Sequence, residues 1–578
     1  MKNANGARTT VLAPQLSVVL KKGLLGAVLF SGVINLLALI GPLFMLEVYD
    51  RVIPSRSLPT LVALGLLVMG VYAVFAVMDI IRSRVMVRIA GAFDDALSAE
   101  VFRVIAGASL KAPMAGDPLK PAHELDQIRS FIAGPGMVAF FDLPWMPVYL
   151  AVCFYIHPLL GYLALGMIAV MLVLTWLTDR NTRRLMQESA QVLSLRNQFG
   201  QQTHQSAESI AAMGMASRAC AYWQQHHARF TTLQRQAADV GSFYGGITKA
   251  LRHLIQSASL GLGAYLVIRG DLSGGAIIAA SIIVARTLAP AEQIIGTWRG
   301  LLSAHLAWQQ LQGVLGLFPQ PQAKTELPVA TRSVQVDGLV VSPPGVQRLT
   351  LQGVNFTLAA GSALGVIGPS ASGKSSLARV LAGAWQPLRG QVRLDGAALE
   401  LWSEQARGAL TGYLPQSVDL FDASVAQNIA RLDVAADDAA IIAAARQAGV
   451  HELILQLPQG YDTPVGEGGV NLSAGQRQRI ALARALYGEP FLVVLDEPNS
   501  NLDAEGERAL AQAILAVKAR GGIVVVIAHR TGILSVLDHV LILEQGAQAA
   551  FGPRDSVLAR PATVPKAVTR VGVAGGAQ

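Results

Sequence analysis

The sequence predicts two joined folds: an α-helical membrane domain with six transmembrane helices, then an α/β domain of the P-loop type. Three observations predict this. Charge-free apolar runs long enough to cross a bilayer crowd the first half of the chain. A glycine-rich loop stands between a short apolar strand and a helix in the second half. The stretch Phe318-Pro319-Gln320-Pro321-Gln322 separates the two patterns and reads as a linker. Composition agrees. Of 578 residues, 52% are hydrophobic and 15% charged, against about 25% charged in soluble domains; the mean hydropathy is +0.43. That excludes a disordered chain and argues against a wholly soluble one. Cys153 and Cys220 are too few for a disulfide framework and read as free thiols.

In chain order, residues 1–22 are expected to form a cytoplasmic N-terminal segment without room for a further domain. Gly23–Leu46 is a charge-free run of 24 residues and reads as an uncleaved first crossing. Ser57–Met78 supplies the second, in 22 residues. Leu143–Thr178 is 36 residues without formal charge. It accommodates the third and fourth crossings about a turn at His157–Gly161, the third starting near Met137 and carrying Asp142. Leu254–Ile268 and Leu272–Ala291, joined by Arg269-Gly270-Asp271, are the expected fifth and sixth. A crossing needs about 20 helical residues, so the fifth, at 15, is the shortest.

Charge orients these spans. The connections Asp79–Asp142 and Asp179–Ile247 each hold seven Lys or Arg, and the N-terminus adds Lys2, Arg8, Lys21 and Lys22. Positive loops stay in the cytoplasm, so both termini belong there, and the net charge of +8 needs no nucleic acid. Both connections are rich in helix formers. They are expected to prolong the crossings into the cytoplasm and to turn through short surface helices near 123–131 and 208–215. The membrane domain is assigned to residues 23–300 and the linker to 301–332. Arg286 falls inside the sixth crossing, where charge is costly, and is expected to line a path suited to an acidic passenger. Asp142 either faces the interior or caps its helix.

From residue 333 to 558 the pattern is α/β. The strand Leu364–Ile367 runs into Gly368-Pro369-Ser370-Ala371-Ser372-Gly373-Lys374-Ser375 and a helix from Ser376, a G-x-x-x-x-G-K-S loop in its required context. Such a loop closes backbone N–H groups around phosphate oxygens, with Lys374 reaching the phosphates and Ser375 holding Mg²⁺. A second strand, Phe491–Leu495, ends in Asp496-Glu497. Asp496 is suited to bind Mg²⁺ and Glu497 to polarise an attacking water. Between them, Ser473-Ala474-Gly475-Gln476 opens a helix. Gln416 and His529 stand alone near strand ends, where such residues are more often structural. The tail, 559–578, reads as disordered.

Taken in order, these segments resemble the nucleotide-binding domain of ABC transporters, and the whole chain resembles a half-transporter of the exporter type. Gln416 matches the Q-loop, Val465-Gly466-Glu467-Gly468 and Leu472–Gln476 the signature region, Ser500–Asp503 the D-loop and His529 the switch. Phe141–Trp145, Gly412–Gln416, Ala448–Asp462 and Leu495–Glu505 resemble one branch, the inner-membrane ATPase of type I secretion systems that export proteases and lipases. The resemblance implies a homodimer in the bacterial inner membrane that sandwiches two ATP molecules. Lys374, Ser375, Gln416, Asp496, Glu497 and His529 of one chain would face Ser473 and Gly475 of the other, and Gly368 to Ser376, Gln476 and Asp503 would also bind ATP. Ser375, Gln416 and Asp496 would serve Mg²⁺, and Glu497 and His529 catalysis. It further implies a membrane fusion protein, a TolC-like outer-membrane channel and an unfolded passenger with a C-terminal signal. The competing readings are a stand-alone exporter of lipid or small amphiphiles, and a non-transporting regulatory ATPase, which six crossings and a full catalytic set argue against. Two departures stand out: Ala474 replaces the usual signature glycine, and Val341–Gly345 offers no aromatic ring for adenine.

Overall fold

The computed structural model describes residues 14–111, 117–318, 324, 327–346, 348–466, 469–528 and 531–559. The chain divides into two compact units, a helical one within its first 320 residues and an α/β one in the remainder.

Apolar side chains on unbroken helical backbone dominate the first unit. Its long helices are Leu58–Lys111, Pro158–Gln205, Ala216–Ile268 and Gly274–Leu315, of 54, 48, 53 and 42 residues. At 1.5 Å per residue the first is about 80 Å long, against a bilayer core of about 30 Å. Most of its length therefore lies outside any membrane, as the helix-rich connections predict. Among the described residues, five helical stretches are long and apolar enough to cross a membrane: Lys22–Ser55, Leu58–Gly107, Pro135–Ile156, Pro158–Gln205 and Gly274–Leu315. The expected fifth crossing, Leu254–Ile268, ends the helix Ala216–Ile268 and is not among them. Its apolar run stops at His253, Arg252 and Lys249. It nonetheless packs inward, through Ile255, onto Ile283 and Leu288.

The connection between the second and third crossings contains the expected short helix: residues 123–131 lie within Lys120–Ala133, which also buries Leu125 and Ile128 against Phe93, Leu97, Ala307 and Leu311. The other connection turns through the short helix Ala207–Ala212 and Gly214. The helix Gly274–Leu315 runs on beyond residue 300, burying Leu302, Ala304, Ala307, Leu311 and Leu315.

Asp142 faces the interior. It accepts from Asn35 Nδ2 at 2.7 Å and from Arg82 at 3.1 Å, and its side chain caps no helix. Arg82, itself buried, also reaches Asp79 and Ser31, while the Tyr149 hydroxyl donates to Asn35. The first three crossings are thus tied by one polar network, each member satisfying another.

Among the described residues, the second unit is built on a ten-stranded sheet. One end of the sheet holds four neighbouring parallel strands, in the order Ala363–Ile367, Ile523–Ile527, Leu492–Asp496 and, at the edge, Thr411–Leu414. The second and third are buried along their whole length, as strands covered on both faces must be. Antiparallel strands, including Ser333–Val341 and Leu351–Ala359, extend the sheet on one side. Parallel strands end at the same edge, so the segments after Ile367, Leu414, Asp496 and Ile527 emerge together, where ligands bind in open α/β sheets.

Candidate functional site

The phosphate loop is shaped by its two glycines. Gly368 and Gly373 have φ of 155° and 97°, and a Cβ would collide with the Leu543 carbonyl at one and the Thr350 carbonyl at the other. Only glycine fits there. The helix Lys374–Leu381 follows at once, with Gly373 at its N-cap. Pro369, Ser370 and Ala371 are exposed, whereas Ser372, Lys374 and Ser376 are buried.

Lys374 Nζ donates to the carbonyls of Gly368 and Pro369 at 2.9 and 2.8 Å. Burial lowers its pKa, opposed by the nearby Glu497 and Asp496 carboxylates. Ser375 Oγ donates to Asp496 Oδ1 at 3.2 Å. The Walker-type pair of phosphate loop and acidic strand end is therefore in contact. Asp496 is 1% exposed; burial raises its pKa, and the Ser375 hydrogen bond opposes this. Its Oδ2 and the Ser372 hydroxyl are buried with no hydrogen-bond partner among the described residues. A buried unpaired acceptor costs about 1–3 kcal/mol. A cation beside Asp496 would relieve it, so the donor set of Ser375 and Asp496, both hard oxygen ligands, fits Mg²⁺.

Glu497 follows on the same strand end, half-buried, with φ of 52°. That left-handed backbone is uncommon for a side chain with a Cβ and costs about 1–3 kcal/mol. Its N–H donates to the Ile527 carbonyl at 3.2 Å, which fixes it to the neighbouring strand. Gln416 lies exposed two residues beyond the strand Thr411–Leu414. His529, Glu467 and Gly468 lie outside the described residues, as does the tail from residue 560.

The Ser473 turn is a capping box. Ser473 Oγ accepts from the Gln476 N–H at 3.2 Å, and Gln476 Oε1 accepts from the Ser473 N–H at 2.8 Å. Ala474 is the first helical residue and has no positive φ, so a methyl group is tolerated there. Asp503 caps the helix Ala504–Ala519 by accepting from the Gly506 N–H at 2.8 Å, and it pairs with Arg479 at 2.5 Å. Among the described residues no hydrogen bond joins the Ser473–Gln476 turn to the phosphate loop of the same chain. In the Val341–Gly345 region, Ser342 closes the loop onto the carbonyls of Val346 and Arg348. Arg479 and Gln478 were not singled out from sequence. The available signal was a glutamine at helical spacing with apolar Ala481, Leu482 and Ala485.

Family models match both halves: "ABC transporter transmembrane region" over residues 24–289 and "ABC transporter" over 351–500. The type I secretion system ATP-binding protein PrsD of Rhizobium meliloti (strain 1021) is 51% identical over 534 residues, 92% of each chain. The chain belongs to the type I secretion ABC transporters. Two other relatives of this transporter are less similar. The leukotoxin translocation ATP-binding protein LktB of Mannheimia haemolytica is 29% identical over 93% of the chain and 76% of its own length. The toxin RTX-I translocation ATP-binding protein of Actinobacillus pleuropneumoniae is 28% identical over 91% and 75%. The transporter's fold matches a bacterial Atm1-family ABC exporter solved with ATP bound, with a TM-score of 0.80, 23% identity, and coverage of 94% and 96%.

Proposed function

We propose that this transporter is the inner-membrane ATPase of a type I secretion system, working as a homodimer with a membrane fusion protein and a TolC-like outer-membrane channel. Its passenger is an unfolded protein with a C-terminal signal, of the protease, lipase or calcium-binding repeat class. The observation that carries this reading is the 51% identity to a type I secretion protein across 92% of both chains. The toxin-translocating relatives favour a protein passenger over lipid.

ATP is the substrate of the site. The loop Gly368–Ser376 would surround its phosphates, with Lys374 leaving the Gly368 and Pro369 carbonyls to meet them. Ser375, Asp496 and Gln416 would hold Mg²⁺, which neutralises charge on the phosphate oxygens. Glu497 accepts a proton from water as its oxygen bonds to the γ-phosphorus and the bond to the β–γ bridging oxygen breaks. His529 would contact the γ-phosphate, and Ser473, Gly475 and Gln476 of the second chain would close the site. Asp503 would act at that junction. The long helices are rigid enough to carry the closing and opening of this sandwich to the membrane. The ATPase unit and both termini would lie in the cytoplasm.

The test compares proteins in the culture medium of wild-type cells and cells carrying Glu497→Gln. One or a few proteins should vanish from the medium and accumulate inside. An unchanged medium would overturn the secretion reading in favour of a lipid or small-amphiphile exporter.

A further inference from the structure

Gln478 lies on the helix Ala474–Leu486, two residues past the capping box, and is 3% exposed. Its Nε2 donates to the Pro498 carbonyl at 2.5 Å and to the Glu497 carbonyl at 3.3 Å. Two carbonyl acceptors fix the amide's orientation, because the flipped form would set oxygen against oxygen. Its Oε1 is buried with no hydrogen-bond partner among the described residues. Burying an amide half-satisfied is costly; a methionine would fill the same space more cheaply. What the glutamine supplies, and an apolar residue would not, is the N–H to these two carbonyls.

Those carbonyls flank the unusual backbone of the site. Glu497 has φ of 52° and precedes a proline, whose ring restricts the residue before it. Its N–H is held by Ile527, and its C=O accepts from the Ser500 N–H at 3.3 Å as well as from Gln478. The strained peptide is thus clamped at both ends, from the neighbouring strand and from the signature helix of the same chain.

We infer that Gln478 is a positioning residue for ATP hydrolysis: its amide holds the Glu497-Pro498 backbone in the left-handed conformation that aims the Glu497 carboxylate. This rests on the reading of Glu497 as the base. Without the donor, the peptide relaxes toward an extended conformation and the carboxylate moves away from the water, while the phosphate loop keeps its shape.

The experiment uses the purified full-length protein and three variants: Gln478→Met, Glu497→Gln and the two combined. Gln478→Met should lower kcat by about tenfold to a hundredfold, the scale of a misplaced reacting group, with KM for ATP unchanged. The combined variant should hydrolyse at the residual rate of Glu497→Gln alone, since residues acting as one unit are not additive. Wild-type kcat in Gln478→Met, a parallel rise in KM, or a further loss in the combined variant would each overturn the inference and leave Glu497 as base. Near wild-type turnover in Glu497→Gln would instead overturn the base assignment beneath it. Should Gln478→Met fail to fold, Gln478→Asn, which withdraws the donor by one methylene, must show the same lowered kcat at constant KM; unchanged kcat there overturns the inference.

Discussion

Asp496 shows how one residue carries both a cost and a function. A carboxylate that is 1% exposed, with one oxygen on Ser375 and the other unpaired, destabilises the nucleotide-free chain. Its raised pKa means that the folded form binds a proton more tightly than the unfolded form. This contribution to stability is present at low pH and fades as pH rises through the folded value. Asp496→Asn removes the charge at nearly constant shape. It should leave the nucleotide-free thermal midpoint at pH 8 unchanged or higher, while abolishing the extra midpoint shift that Mg²⁺ adds to ATP. A variant that keeps the full Mg²⁺-dependent shift would show that the cation is held elsewhere. The sequence showed the Asp496-Glu497 pair through its place after five apolar residues, but not the positive φ of Glu497, because nothing in a side-chain pattern encodes a backbone held by contacts from Ile527 and Gln478.

At the scale of elements, the helix Lys120–Ala133 answers to the short helix expected near residues 123–131, but its packing was not foreseen. Its charges, Lys120, His123, Glu124, Asp126 and Arg129, suggest a solvated surface helix. Leu125 and Ile128 instead pack on Phe93 and Leu311, and the packing carries Glu124 inside. Its carboxyl lines a cavity of about 140 Å³ with Asp117, His123, Gln234 and Ser189. Burial pushes its pKa from 4.5 to about 7, against the pull of Lys120. The carboxyl is protonated below about 7 in the folded chain but only below about 4.5 in the unfolded one. Folding therefore takes up a proton in this window, and stability falls as pH rises through it. Glu124→Gln, measured as the thermal midpoint of the detergent-solubilised protein, should match wild type near pH 4.5 and exceed it at pH 8. Equal midpoints at both pH values would mean that Glu124 is solvated. Charge-free apolar runs and connections rich in helix formers did reveal the long helices. The hidden part was which polar residues they bury, since that depends on partners far apart in sequence, such as Asn35, Arg82 and Asp142.

For the whole molecule, the four parallel strands explain why so much of the site was readable. Each motif follows an apolar strand, and parallel strands deliver their ends to one edge, so a linear order of motifs becomes a single cluster. The Ser473 turn is the exception. Its hydroxyl and the Gln476 amide satisfy each other, and no described hydrogen bond brings them to their own chain's phosphate loop. A turn at a helix start, exposed at Ser473 and Ala474 and without a described hydrogen bond to its own phosphate loop, is suited to a second copy, and two-fold pairing would let each chain complete the other. Complementation tests this. Lys374→Ala removes the phosphate-reaching amine; Gly475→Val places a side chain against the Asn501 carbonyl, 2.8 Å from where its Cβ would stand. Each variant alone should be inactive in ATP hydrolysis. In a dimer of one with the other, both defects fall on one composite site and the second site is intact. Co-expressed chains, purified through different tags, should therefore recover turnover that neither parent shows. Mixed dimers as inactive as both parents would mean that the signature turn does not complete the site in trans.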